Sequence, residues 1–308
     1  MNTMPPGNDP HLLASAPVVV GVDGSEGGEL AVRWAAQVAA RRGRTLHLAH
    51  GLDMAALRSM PGGRLAMTPS IVEAVRKQAI QIISDAHRVA RDMAPDLEIT
   101  TEISEASPSE LLIHLSGSAR LLALGATGTA GAFAHLGSTL LAVTGHGHGS
   151  IVVVRGADTE SGLRNDGPVV VGIDGSPVSE AAIAAAFAEA SDRGAELVAT
   201  HSWSDWHFGE FAGEKLGADM MGPALETAED AILAERLAGW QEKYPNVRVT
   251  RKVYLSGAVD RLQYWSNSAQ LIVVGNRGRG GFTGLLLGST SNFLVQHAYC
   301  PVLVAHSG

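Results

Sequence analysis

The stretch Pro17-Val-Val-Val-Gly-Val-Asp-Gly-Ser25 returns as Pro168-Val-Val-Val-Gly-Ile-Asp-Gly-Ser176, displaced by 151 positions in a chain of 308. Aligned without gaps, residues 17–51 and 168–202 are identical at 16 of 35 positions, among them Glu29 and Glu180, Gly43 and Gly194, Leu46 and Leu197, and His50 and His201. The match resumes downstream, where Ala119-Arg-Leu-Leu-Ala-Leu-Gly125 parallels Ala269-Gln-Leu-Ile-Val-Val-Gly275 and Leu136-Gly-Ser-Thr139 parallels Leu287-Gly-Ser-Thr290. A duplication of this span fixes the organisation before any element is assigned: two copies of one domain, each large enough for its own core. Residues 1–16 read as a flexible tail, 17–155 as the first domain, the polar, turn-rich segment 156–167 as a linker, and 168–308 as the second domain.

Within each copy, short β-branched runs alternate with longer helical patterns. In the second copy strands are expected at 169–173, 196–202, 247–255, 270–275 and 301–305. Helical spacing covers Ser179 to Arg193, Gly222 to Lys243 and Ala258 to Ser268, with a short helix after Gly288. Continuous apolar runs such as Val18-Val-Val20 and Leu271-Ile-Val-Val274 suit strands buried on both faces. The expected fold is therefore α/β, with a doubly wound parallel sheet, Rossmann-like, in each domain. Residues 54–67, with Pro61-Gly-Gly, read as a surface loop.

Charge narrows the function. With 23 Lys and Arg against 31 Asp and Glu, and only four of the cations Lys, the chain has no broad basic face for a nucleic-acid backbone. Residues 121–154 carry no charge, yet the glycines and three His within them break any apolar run of spanning length, so no membrane segment is expected. A single Cys, and an N-terminus lacking a charged region followed by a signal-length apolar run, point to a cytoplasmic protein. The paired imidazoles of His146 and His148 lead into the last strand of their copy and are not read as metal ligands.

Chemistry concentrates where a buried strand ends in Gly275-Asn276-Arg277-Gly278-Arg279-Gly280-Gly281, followed by Gly288-Ser289-Thr290 at the start of a helix. Backbone N–H groups free of Cβ atoms converge there on an anion, and the helix N-terminus faces it with its positive end. Arg277 and Arg279 add charge. The spacing Gly-x2-Gly-x9-Gly-Ser, the Gly-Val-Asp-Gly-Ser opening of each copy, the run Arg277-Gly-Arg-Gly-Gly281 and the ending His297-x2-Cys-Pro-Val302 together resemble the universal stress protein family. The tandem layout is similar to its two-domain mycobacterial members.

The resemblance implies ATP as the ligand, bound without a Walker loop; Mg²⁺ can accompany it, held by the phosphates themselves. Residue by residue it implies Asp174 as the adenine-side acceptor, Gly172 allowing close approach, Asp205 toward the ribose, and the glycine loop with Gly288, Ser289 and Thr290 on the phosphates. An Asp suits the adenine amino group, since it accepts a hydrogen bond without any shift in pKa. In the first copy the matching positions are Gly21, Asp23, Gly125, Gly128, Gly137, Ser138 and Thr139. That loop is one residue shorter after Gly128 and has Thr127 and Thr129 in place of the two Arg. One extended residue spans about 3 Å, as long as a hydrogen bond, so the second site is the better formed of the two.

Two classes of function follow. The first is a nucleotide-sensing regulatory module in stress response or growth control, acting with a protein partner and as a homo-oligomer, a dimer; a plainer reading beside it is action by assembly, since the last strands, Ile151 to Val154 and Val302 to Ala305, look like edges that could pair, and in the family that edge pairs domain with domain. The second is an enzyme of the same adenine-nucleotide superfamily. Pyrophosphatase-type ligases would place Ser-Gly-Gly-x-Asp-Ser after the first strand and nucleotidyl transferases His-x-Gly-His. The chain has Asp23-Gly-Ser-Glu and Asp174-Gly-Ser-Pro there, so at most slow ATP hydrolysis is expected.

Overall fold

The computed structural model describes residues 15–59, 68–126, 137–156, 163–202, 221–255, 257–278 and 286–307. The chain divides into two units between Arg155 and Gly156. In the first, β1 (Val18–Gly21), β2 (Leu46–Gly51), β3 (Ile99–Ser104), β4 (Leu121–Gly125) and β5 (Ser150–Val154) alternate with α1 (Glu26–Arg41), α2 (Met54–Ser59), α3 (Pro69–Met93), α4 (Pro108–Ser116) and α5 (Ser138–His146). The second repeats the plan with β6 (Val169–Ile173), α6 (Pro177–Arg193), β7 (Leu197–Ser202), α7 (Met221–Lys243), β8 (Val249–Tyr254), α8 (Ala258–Ser266), β9 (Leu271–Gly275), α9 (Ser289–His297) and β10 (Val302–Ala305).

Strand order is β3-β2-β1-β4-β5 in the first unit and β8-β7-β6-β9-β10 in the second, and within each unit every neighbouring pair is parallel. α1 and α3 cover one face of the first sheet and α4 and α5 the other, while α6 and α7 oppose α8 and α9 in the second. Both faces being covered, the central strands are apolar throughout: Val18, Val20, Leu121, Leu122, Val169, Val171, Ile272 and Val273 are fully buried. Among the described residues no helix is long and apolar enough to cross a membrane.

The expected strand ends agree with the structure to within two residues. Residues 54–67 do not read through as one loop: Met54–Ser59 form α2, and Met54 is buried. A six-residue helix has too few positions for periodicity to register.

One buried polar network sets the second unit apart. Arg193 pairs with Glu189 one helical turn earlier at 3.1 Å, the side chains only 2% and 4% exposed. Arg193 also donates to Gln270 Oε1 at 3.1 Å, and the Gln270 amide donates to the Gly167 carbonyl at 2.7 Å. The end of α6 is thereby tied to the segments entering β9 and β6. In the first copy the positions of Glu189 and Gln270 hold Val38 and Arg120. Glu189→Ala should destabilise the second unit by about 3 to 5 kcal/mol, because a buried guanidinium loses its countercharge, whereas Glu189→Leu with Arg193→Leu should recover most of that loss. Urea denaturation of the three chains measures this.

Cys300 is buried two residues before β10, and burial pushes its thiol up to about 12 from 9.0. The folded state therefore keeps the neutral thiol, and its contribution is present below pH about 9 and lost as pH rises toward about 12. Stability should fall over that window less steeply in Cys300→Ala than in the natural chain, as read from Tm against pH. Thiol reagents at neutral pH should modify Cys300 only after denaturation.

Candidate functional site

In each unit the chain crosses to the other half of the sheet between its first and fourth strands, which lie side by side as β1 and β4, or β6 and β9. Helices leaving these neighbours pack on opposite faces, so a crevice opens at their C-terminal ends. Asp174 follows the last residue of β6, and Gly275 ends β9. The sequence thus delivers the acidic group and the glycine loop to the two lips of one crevice.

The second unit builds this site through a chain of close contacts. Asp174 Oδ1 accepts from the Ser176 amide at 2.9 Å and from the Ser179 hydroxyl at 2.5 Å, and Ser179 Oγ accepts from the Asp174 amide at 3.1 Å. The other oxygen, Oδ2, lies against Gly278, in the space that a Cβ there would fill. The carboxylate and the loop glycine are therefore in direct apposition, and any side chain at 278 must displace one of them. The neck of the loop is closed by two bonds: the Gly288 amide donates to the Asn276 carbonyl at 2.8 Å, and the Ser291 hydroxyl donates to the Gly275 carbonyl at 2.6 Å. Gly288 is the N-cap of α9, so Ser289 and Thr290 form its first turn beside the loop. Arg277 is exposed.

Gly172 and Gly21 have a packing reason for lacking a side chain. A Cβ at Gly172 would stand 2.9 Å from Leu262 of α8, and one at Gly21 would stand 2.8 Å from Leu112 of α4. Gly275 meets Val178 of α6 at 2.8 Å by the same measure, and Gly125 meets the backbone of Gly27 and Gly28 in α1. The first turn of the helix after the first strand thus presses on the end of the fourth in both units.

The first unit differs in wiring. Ser25 Oγ donates to Asp23 Oδ1 at 2.6 Å and accepts from the Gly28 amide at 3.0 Å, so one hydroxyl both orients the carboxylate and caps α1. In the second unit Ser179 orients the carboxylate instead, and the buried Ser176 hydroxyl has no hydrogen-bond partner among the described residues. Leu140 stands where Ser291 closes the second loop. Gly137 caps α5 in open space, with Ser138 and Thr139 following. Arg155, half-buried directly after β5, has its guanidinium pulled below its usual value by that burial. Gly128, Asp205, Arg279, Gly280 and Gly281 lie outside the described residues, as do Thr127, Thr129 and the aromatic residues Trp203, Trp206, Phe208 and Phe211.

Four supporting residues stand outside the expected site: His50, His201, Ser179 and Ser291. His201 Nδ1 donates to the Ile173 carbonyl at 2.7 Å, immediately before Asp174, and its Nε2 meets Glu229 of α7 at 3.2 Å. His50 makes the same bond to Val22, before Asp23, at 2.7 Å. The identity of His50 and His201 across the repeat was the available clue. Ser179 and Ser291 differ between the copies, so repetition could not mark them.

Fold and crevice together define a tandem pair of doubly wound domains, the second with an acidic residue facing the glycine that follows its fourth strand. The chain belongs to the universal stress protein family, whose profile matches residues 16–155 and 167–306. It is similar to a universal stress protein of Mycolicibacterium smegmatis, 40% identical over 295 residues, covering 93% of this chain and 96% of the relative. It is also similar to one of Mycobacterium tuberculosis, 36% identical over 298 residues, covering 95% and 97%. Among solved structures it resembles a universal stress protein from Archaeoglobus fulgidus with a TM-score of 0.69 at 15% identity, covering 96% of this chain and 99% of that one, a likeness of fold.

Proposed function

We propose that this chain is a nucleotide-sensing regulatory protein whose second domain binds ATP in the crevice between β6 and β9. One observation carries the reading: the Asp174 carboxylate and the Gly278 backbone, expected on the base and on the phosphates, stand against each other across that crevice. The described part of the site suits an anion, because the N-cap at Gly288 sets the positive end of α9 beside the Gly278 backbone. Asp174 accepts from the base amino group, the loop amides and Arg277 meet the phosphates, and His201 holds the strand end that carries Asp174. No group of three metal-binding side chains occurs among the described residues, so a Mg²⁺ ion would be held chiefly by the phosphates. The protein would then act by changing shape or partner as nucleotide occupancy changes.

Calorimetry on the full chain tests this. ATP should bind at least about tenfold tighter than inosine triphosphate, which presents a carbonyl where adenine has its amino group, because an unpaired acceptor costs about 1 to 3 kcal/mol. Equal affinities would remove Asp174 from the base. Gly288→Val should abolish binding in a folded chain. Its Cβ would stand 3.4 Å from Arg277 Cα and 3.5 Å from the Gly278 amide nitrogen, leaving its methyls over the loop amides. Unchanged ATP affinity in that variant would exclude the loop as the phosphate site.

A further inference from the structure

The two copies hold the same carboxylate in the same crevice and differ in what fixes it. Position 28 of the first domain corresponds to 179 of the second. At Gly28 a Cβ would stand 2.7 Å from Asp23 Oδ1, so that helix keeps its first turn bare and leaves Ser25, within the turn itself, to orient Asp23. At Ser179 the side chain enters that space. Only 4% exposed, it donates to Asp174 Oδ1 and receives the Asp174 amide on the same oxygen. With its lone pair committed to that amide, the hydroxyl has its proton directed onto the carboxylate. Both the backbone and the side chain of Asp174 are thus pinned to one atom of α6.

The neighbouring residue completes the argument. Val178 packs on Gly275, where the glycine loop leaves β9. Two consecutive residues in the first turn of α6 therefore touch the two halves of the crevice: Val178 the loop, Ser179 the acid. In the first domain both positions are glycine, Gly27 and Gly28, and backbone alone meets Gly125. A group positioned from a packed helix is held more tightly than one positioned by its own turn.

We propose that Ser179 is the positioning residue for base recognition in the second domain: it ties Asp174 to α6 so that Oδ1 is turned to the helix and Oδ2 to the crevice. The inference rests on the reading of that crevice as an adenine-nucleotide site. Ser179 does not touch the ligand. It acts through the direction in which Asp174 presents its acceptor, so its loss should blunt recognition of the base and leave recognition of the phosphates.

The experiment uses the full chain carrying Asp23→Ala, so that base discrimination reports the second domain. ATP, inosine triphosphate and inorganic tripolyphosphate are titrated by calorimetry into this parent and into the same chain with Ser179→Ala or Ser179→Thr. Expected is a fall of about tenfold in the preference for ATP over inosine triphosphate in Ser179→Ala, the effect of one hydrogen bond. Tripolyphosphate affinity should stay within about twofold, and Ser179→Thr, which keeps the hydroxyl, should restore the preference. A Ser179→Ala chain that discriminates as well as its parent overturns the assignment alone. A chain that loses tripolyphosphate binding to the same degree also overturns it, since the residue would then be supporting the fold. A parent that does not distinguish the two nucleotides removes the adenine reading and this assignment with it.

Discussion

The crossing of the chain between the first and fourth strands of each sheet is the constraint from which the site follows. Two adjacent parallel strands send their helices to opposite faces, and the gap between their carboxyl ends cannot be closed by either helix. Whatever residues follow β6 and β9 must line it. In this chain these are Asp174 and the run beginning at Gly275, and the register of β6 on β9, Val169 opposite Leu271 through Val171 opposite Val273, sets them level. Glycine at 21, 172, 125 and 275 then serves the same geometry from below, because the helices must sit close on the strand ends for the crevice to be narrow. An acid on one lip can reach a loop on the other only if that approach is tight.

Much of this was legible in the residues because burial on both faces leaves a simple mark. Val18-Val-Val20 and Leu271-Ile-Val-Val274 have no polar face to confuse a reading, and the repeat supplied a second reading of every element. What escaped was decided by single atoms. Ser179 and Ser291 are small hydroxyl residues at helix starts, where serine is common for reasons unrelated to a ligand. Their roles depend on which carboxylate or carbonyl the fold brings within 3 Å, and no local pattern encodes that. The short helix at Met54 escaped for the opposite reason, a local element held by one buried side chain rather than by a periodic face.

Buried polar groups show how the copies have diverged under one backbone. The ion pair of Glu189 and Arg193 occupies a place where the first domain has Val38. Such a pair contributes little net stability over an apolar contact, yet it is costly to break singly, so it fixes geometry at the strands' amino ends more than it adds to ΔG. The serine exchange at the opposite end has the same character. Moving the hydroxyl from Ser25 in the turn to Ser179 on the helix keeps a serine hydroxyl and a backbone amide on the same carboxylate oxygen in both copies.

The two helix starts differ accordingly. The first domain caps α1 with Ser25, whose hydroxyl accepts from the Gly28 amide. The second domain forgoes the cap, and its Pro177 at the start of α6 removes one of the amides that a cap would have served. In exchange the helix gains a side chain that grips Asp174 from inside the packed layer. A carboxylate gripped from a packed helix is held in one direction more firmly than one gripped from its own turn, and that is the difference between the two copies at this end of the sheet.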